Sequence, residues 1–304
     1  MKPFPLRISS KVRQAIDTGK PVLALESTVI THGLPYPQNL EYLTDMETEA
    51  EKQGVTPATI CVLNGQALIG LEQQDIDLLR TKVTGKEEIM KLNLRDLGLA
   101  LAAKKSGGTT VSATMALAYQ AGIRVFATGG IGGVHRGWRD SRDISLDIKA
   151  LSVIPIIVVC AGCKAILDIG ATLEALETEG VPVYGWQTSE FPSFYSRKSG
   201  HRVTQINSAQ SVVQAFNLMQ ALKGVHSGML IANPIPAEAE IPFEEIEPFI
   251  QQAITDAKSI SGKALTPYLL DHLAKSTEGR SVKANLALLQ NNLRLGAELA
   301  KEMT

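Results

Sequence analysis

Short apolar runs rich in β-branched residues alternate with longer amphipathic segments, and no other feature of this chain constrains its fold as tightly. The stretches PVLALES (21–27), ATICVLNG (58–65), RVFATGG (124–130), IPIIVVCAG (154–162), VPVYGWQ (181–187) and GMLIANP (228–234) read as strands. Helical spacing of apolar residues fits the segments 40–53, 94–105, 112–121, 164–179, 209–222, 246–260 and 282–303. Strands that are apolar on both faces and separated by helices predict an α/β fold: a largely parallel or mixed central sheet covered by helices on both faces. No shift in composition marks a linker, so a single domain over residues 1–304 is expected.

Charge narrows the class of partner. The 30 basic and 31 acidic side chains leave a formal net charge of −1, which argues against a general nucleic-acid or membrane-surface binder. The amino terminus, MKPFPLRISSKVRQAI, lacks the apolar core of a secretory signal, and no stretch reaches the roughly 20 apolar residues of a membrane span. Cys61, Cys160 and Cys163 are few, odd in number and set in apolar runs, so a disulfide framework is not expected and a reducing, cytoplasmic setting fits.

In α/β sheets ligands bind beyond the carboxyl ends of the strands. Small or reactive residues gather there: Glu26-Ser27-Thr28, Thr128-Gly129-Gly130, Ala161-Gly162 and Asn233-Pro234. Lys164 follows the third cluster, at what reads as the first turn of the helix 164–179. Desolvation and the positive end of a helix dipole would both favour a neutral, nucleophilic amine of the kind that forms Schiff bases. The plainer alternative is a lysine that snorkels to solvent or binds an anion.

The segment TGGIGGVHRGWRDSRDISLD (128–147) is the densest in reactive types. It is no dinucleotide fingerprint, because His135 stands where the last glycine of G-x-G-x-x-G belongs. Its glycines could bring backbone N–H groups to a phosphate or sugar while His135, Arg136, Arg139 and Arg142 neutralise an anion; the alternative is a loop of solvated arginines. Asp143 and Asp147 are four apart and would share one face of a helical turn, as a site for a hard divalent ion or as acids paired with Arg139 or Arg142.

KSGGTTVSATMALAYQAG (105–122) carries a Gly-Gly turn and hydroxyls ahead of a helix whose first turn could hold a phosphate, or could simply be capped by threonine or serine. It is not a Walker A loop. Glu26 closes the first strong strand, where burial would suit a proton donor, although such a residue can equally face water. Lys91 is a further candidate anion ligand. The acidic helix at 41–54 reads as a solvated face, and His32, His201, His226 and His272 lack the spacing of a zinc cluster.

Taken together, ALESTVITHGLPYPQN, GGTTVSATMALAYQAGIRVFATGGIGGVHRG, DISLD, CAGCKAILDIGATLEALETEGVPVYGWQT, EFPSFYSR and KANLALLQNN closely resemble the pseudouridine-5′-phosphate glycosidases, also called pseudouridylate synthases. The resemblance spans most of the chain. It implies a single α/β domain, a homotrimer, and an enzyme that uses one Mn²⁺ per subunit, with Mg²⁺ or another divalent ion as the alternative. It further implies reversible conversion of pseudouridine 5′-phosphate to uracil and ribose 5-phosphate, these small molecules being the partners.

Matched position by position, the resemblance makes Lys164 the nucleophile that holds C1′ of the opened sugar as an iminium. Glu26 becomes the proton donor, Asp147 the second acid/base group and Asp143 the metal ligand. Ser145, Leu146 and Asp147 become substrate contacts, Lys91 and the backbone of Val111 contacts assigned to the phosphate, and His135 and Asn285 further pocket residues. Cys163 stands where the family has alanine or valine, which leaves an oxidisable thiol beside Lys164. On residue chemistry alone, a lysine-dependent aldolase acting on a sugar phosphate, or a non-catalytic sugar-phosphate sensor, would use the same groups.

Overall fold

The computed structural model describes residues 4–34, 36–85, 89–257, 260 and 265–304. The chain gathers into two compact units, Met1–Ala127 with Gly296–Thr304, and Thr128–Leu295. Both are α/β, the class that the alternation of strands and helices predicts. No helix among the described residues is long and apolar enough to cross a membrane.

The first unit contains strands β1 (Leu6–Ile8), β2 (Val22–Leu25), β3 (Thr56–Leu63), β4 (Gln66–Ile69), β5 (Met90–Leu92), β6 (Gly107–Thr109) and β7 (Val125–Ala127). Its helices are α1 (Ser10–Asp17), α2 (Gln38–Lys52), α3 (Gln73–Thr84), α4 (Leu97–Ala102) and α5 (Val111–Gln120), with a π-helical turn at Val29–Gly33. The sheet is mixed, in the order β1-β4-β3-β2-β7. The pairs β1–β4, β2–β3 and β2–β7 are parallel, and β3–β4 is antiparallel. An Asn64–Gly65 turn with φ of 49° and 77° joins β3 to β4, as a two-residue hairpin requires.

Strand β3 changes partners along its length. Its first half pairs with β2, up to Leu25↔Thr59, and its second half with β6, from Cys61↔Gly108. At the changeover the Ile60 carbonyl accepts the hydroxyls of Ser27 and Thr109, each at 2.6 Å. Side chains thus satisfy a buried backbone acceptor where the ladder is handed over. The outcome is that the residues after β2 are tied to the start of α5.

The second unit contains β8 (Val134–His135), β9 (Ile157–Cys160), β10 (Leu167–Asp168), β11 (Val183–Trp186), β12 (Thr204–Ile206) and β13 (Met229–Ala232). Strands β9-β13-β11-β12 form a parallel sheet, and β8 pairs with β10 in a separate antiparallel ribbon. Every residue of β9 and β13 is buried, which is why they read as unbroken apolar runs. The helices are α6 (Trp138–Ser141), α7 (Leu146–Val153), α8 (Ile169–Thr178), α9 (Ala209–Ala221), α10 (Phe243–Asp256), α11 (Leu265–Ser276) and, as far as Leu295, α12 (Arg280–Glu302), whose remaining residues count with the first unit.

Two expectations are corrected. The helix read from residue 164 begins at Ile169, with Asp168 as its N-cap accepting the Ala171 N–H at 3.0 Å. Lys164 to Leu167 form a turn closed by the Leu167 N–H on the Lys164 carbonyl at 3.0 Å. Pairing of β10 with β8 takes up the backbone groups that an extended helix would have used. The segment 94–105 is also shorter than read: a 3₁₀ turn, Leu94–Asp96, precedes the six-residue α4.

Candidate active site

In the second unit Lys164, Asp147, Ser145 and Asp143 each hydrogen-bond to one glycine-rich segment, 129–135, which ends at His135. The Lys164 backbone N–H donates to the Ile131 carbonyl at 3.1 Å, beside a parallel bridge between Ile131 and Cys163. The Gly132 N–H donates to Asp147 Oδ2 at 2.8 Å. These two bonds use the two ends of one peptide group. In a trans peptide the carbonyl and N–H point to opposite sides, so the lysine-bearing turn and the aspartate flank the Ile131–Gly132 peptide on opposite edges.

Asp147 is 5% exposed and lies in the first turn of α7, where the helix dipole favours a negative charge. Ser145 is the N-cap of that helix, and its hydroxyl accepts the Asp147 N–H at 3.2 Å. Glycine at 132 is a steric requirement: a Cβ there would lie 2.3 Å from Ser145 Oγ and 2.9 Å from Asp147 Oδ2. Gly129 faces α12, where a Cβ would stand 3.4 Å from Asn285 Oδ1. Leu146 opens α7 and is partly exposed.

Three sequence readings change here. Lys164 is partly exposed and lies five residues ahead of α8, so no helix dipole acts on it as a first-turn residue. Asp143 and Asp147 do not share a helical face: α6 ends at Ser141, Arg142 is left-handed at φ 55°, and α7 starts only after Asp143 and Ile144. Arg136 is no free anion ligand, since its guanidinium forks onto Glu247 and also reaches two main-chain carbonyls. Arg139 and Arg142 are exposed, as the solvated-loop alternative describes.

Asp143 Oδ2 lies 3.9 Å from His135 Nε2, and the His135 N–H donates to the Asp143 carbonyl at 3.1 Å. No group of three or more His, Cys, Asp or Glu side chains able to hold a metal exists among the described residues. The donor set is therefore one half-exposed carboxylate with an imidazole beside it. It fits a hard divalent ion that keeps most of its waters, and does not fit zinc in a closed cage.

Cys160 and Cys163 are fully buried, and burial pushes both thiols up to about 12 against the smaller opposing pull of hydrogen bonds and the Lys164 charge. Cys163 is thus shielded where an oxidisable thiol was expected. An open groove of about 810 Å³ in this unit, lined by Leu173, Glu174, His201 and Arg202 among others, contains none of the expected site residues.

In the first unit Glu26, Lys91 and Val111 are brought together by the Ser27–Thr109 contact. The Thr109 N–H donates to Ser27 Oγ at 2.9 Å, and β5 sets Lys91 opposite Gly108 in parallel register. The Thr110 N–H then donates to the Leu92 carbonyl at 2.8 Å, and α5 begins at Val111. Thr110 occupies the N-cap position of α5 without a side-chain capping bond, contrary to the ordinary capping alternative. Gly108 admits no side chain, because a Cβ would lie 2.2 Å from Thr31 Oγ1.

Two neighbours have no role in the sequence reading. His32, on the π-helical turn, bonds Thr31 Oγ1 through Nδ1 at 2.7 Å; burial first, and then the Lys91 charge, hold its pKa below the ordinary value despite a hydrogen bond to the Ile89 backbone. Tyr42, on the helix read as a solvated face, packs against the buried cluster that includes Ile30, Leu43 and Leu79; burial raises its phenol, and the Glu26 carboxylate pushes it the same way. A π-helical turn directly after a strand end was the signal for His32, but its pattern is invisible without coordinates.

Nucleophile-type lysine, buried acid, N-cap hydroxyl and glycine backbone in one place form the kind of site on which an enzyme works. Comparison with known proteins specifies the kind. Residues 11–302 match the family described as Indigoidine synthase A like protein. Pseudouridine-5′-phosphate glycosidases from Solibacter usitatus and Legionella pneumophila are each 46% identical, over 98% and 97% of this chain and 99% and 94% of their own. One from a Nocardioides species is 47% identical, over 99% and 97%.

Among solved structures, an indigoidine synthase A-like protein from Thermotoga maritima superposes with a TM-score of 0.90 at 35% identity, covering 100% of this chain and 98% of that one. The prealnumycin C-glycosynthase AlnA, in complex with ribulose 5-phosphate, gives 0.90 at 33% identity, covering 99% and 98%. The chain belongs to the pseudouridine-5′-phosphate glycosidase family of enzymes.

Proposed function

We propose that the chain reversibly cleaves the carbon–carbon glycosidic bond of pseudouridine 5′-phosphate, giving uracil and ribose 5-phosphate, with the Lys164 amine holding C1′ as an iminium. The observation that carries this reading is the Ile131–Gly132 peptide, which bonds the Lys164 backbone on one edge and the Asp147 carboxylate on the other. The names of the relatives support the substrate, and AlnA, a C-glycosynthase holding ribulose 5-phosphate, supports a phosphosugar carbonyl as what such a lysine meets.

The chemistry follows from the leaving atom. Carbon departs poorly as an anion, so the base carbon must take up a proton as its bond to C1′ breaks. The neutral Lys164 amine attacks C1′ as the C1′–O4′ bond breaks and O4′ takes a proton to become the C4′ hydroxyl of the opened sugar; the nitrogen electron pair then expels the base carbon, and the C1′–N bond becomes the iminium. Water then adds to C1′, and loss of the amine frees ribose 5-phosphate and Lys164; one water is consumed overall. Asp147 moves protons as amine and water exchange on C1′, while Glu26 carries the proton-donor role for the departing uracil.

Ser145, Leu146, His135 and Asn285 are the sugar and base contacts of this proposal, and Lys91 with the Val111 N–H takes the phosphate. Asp143, with His135 beside it, would hold a divalent ion such as Mn²⁺ or Mg²⁺, which when bound supplies positive charge to a substrate or water oxygen. A homotrimer belongs to the same proposal, and a monomer mass by sedimentation equilibrium would remove it.

The test is to incubate the protein with ribose 5-phosphate, reduce with borohydride and map the peptides. An added mass on Lys164, together with formation of pseudouridine 5′-phosphate when uracil and Mn²⁺ are supplied, is the expected result. An adduct elsewhere, or none, overturns the mechanism. Aldehyde release from a deoxyribose phosphate without uracil chemistry would make the chain an aldolase instead.

A further inference from the structure

Beside Lys164 lies an arginine that the chemistry above does not use. Arg136 Nη1 and Nη2 fork onto Glu247 Oε1 and Oε2 at 2.5 and 3.0 Å. The same guanidinium donates from Nη2 to the Ala165 carbonyl at 3.2 Å and from Nε to the Leu167 carbonyl at 3.3 Å. Both carbonyls belong to the turn that starts at Lys164 and is closed by the Leu167 N–H. Four contacts from one planar group thus bind that turn to α10, whose Glu247 is 111 residues from Arg136 in sequence.

We infer that Arg136 and Glu247 are a positioning pair that fixes the turn carrying Lys164, so that its amine meets the sugar carbon in one orientation. The inference rests on Lys164 being the nucleophile. Arg136 adjoins His135, and β8 pairs His135 with Leu167, so the guanidinium braces the turn from the strand that already borders it. Ala165 and Ile166 are buried but lie between strand pairings, outside any helix, so beyond packing and the two main-chain bonds of Lys164 the guanidinium supplies the hydrogen bonds that hold the Ala165 and Leu167 carbonyls. Glu247 is itself oriented by Gln251, which donates to Oε1 at 2.7 Å. Burial would raise the Glu247 carboxyl, but the Arg136 and Gln251 bonds and the Arg136 charge outweigh it and hold the group ionised.

A lysine cannot replace this fork, because a single ammonium has neither its planarity nor its reach to two carbonyls and a carboxylate together. Misplacement of a reacting group by about 1 Å can cost about 10²-fold in rate. The experiment measures borohydride-trapped adduct on Lys164 against ribose 5-phosphate concentration for wild type, Arg136→Lys, Glu247→Gln and the double variant, with thermal melting alongside. In Arg136→Lys the maximal trapping rate should fall about tenfold or more while the half-saturating concentration stays within about twofold. Glu247→Gln should show a smaller loss with the same split, and the double variant should trap no more slowly than Arg136→Lys, because the pair acts as a unit.

Wild-type trapping at the full rate in folded Arg136→Lys overturns the inference, as does a loss confined to half-saturation. Should Arg136→Lys fail to melt cooperatively, Glu247→Gln decides by the same criterion. If wild type forms no adduct on Lys164, the lysine reading falls and this inference with it. An adduct on wild type at an unchanged rate in the variants removes the positioning role alone.

Discussion

A methyl group on Gly132 would sit 2.3 Å from Ser145 Oγ and 2.8 Å from its Cβ, inside any tolerable contact. Gly132→Ala must push α7 away or break the Asp147 bond, and overpacking of this kind costs about 1–3 kcal/mol, to be read as a lower urea midpoint. Lys164→Ala, by contrast, removes a partly exposed side chain that caps nothing, so melting should change little while turnover and adduct formation are lost. Asp147→Asn keeps an oxygen for the Gly132 N–H but cannot shuttle a proton, and its kcat should drop about 10²-fold or more.

His32 gives the residue scale a pH dependence. Its pKa is lowered on folding, first by burial and then by the Lys91 charge. A histidine so placed binds a proton more readily unfolded than folded, so its contribution is complete above the ordinary value of about 6.5. That contribution is lost as pH falls below that value toward the folded pKa. Urea midpoints of wild type should therefore decline through that window more steeply than those of His32→Asn; parallel curves would remove His32 as the cause.

Among the elements, α8 shows where sequence reading reached and where it stopped. The run KAILDIGATLEALETEG has helical spacing throughout, so nothing local marks Asp168 as the start. The boundary is set by β8, a partner more than 30 residues upstream, and tertiary pairing overrides local preference. Asp168→Ala should cost about 1 kcal/mol as the loss of an N-cap, measured by urea unfolding, with kcat nearly unchanged well below the melting temperature. Strands β9 and β13 were legible because burial of every residue leaves an unbroken apolar run. Strands β5, β6, β8 and β10, of two or three residues each, carry no period to read.

The site divides in the same way. Residue types at strand ends pointed to Glu26, Lys164 and the glycine segment, and the resemblance supplied their roles. The anion-ligand reading of Arg136 fails because its partner Glu247 lies in a distant helix, and the absence of a zinc cluster at His32 holds among the described residues, although spacing rules say nothing about a single imidazole beside a lysine. Sequence shows which groups are chemically able; which of them are already engaged depends on contacts between distant segments.

For the whole molecule, the three cysteines provide a global probe. All are buried, and burial raises each thiol well above its ordinary value. Alkylation requires thiolate and access, so iodoacetamide should label none of them rapidly in native buffer and all three on unfolding. The labelling rate then reports opening of the core, and fast native labelling of Cys163 would contradict its placement.

The peptide between Ile131 and Gly132 has a mechanical consequence. A conjugated amide is stiff, resisting twist about its C–N axis by a barrier of about 18–20 kcal/mol. Groups anchored to its two ends ride on one plank: when the surrounding loops drift, both are carried along together, and their separation is preserved even as their location wanders.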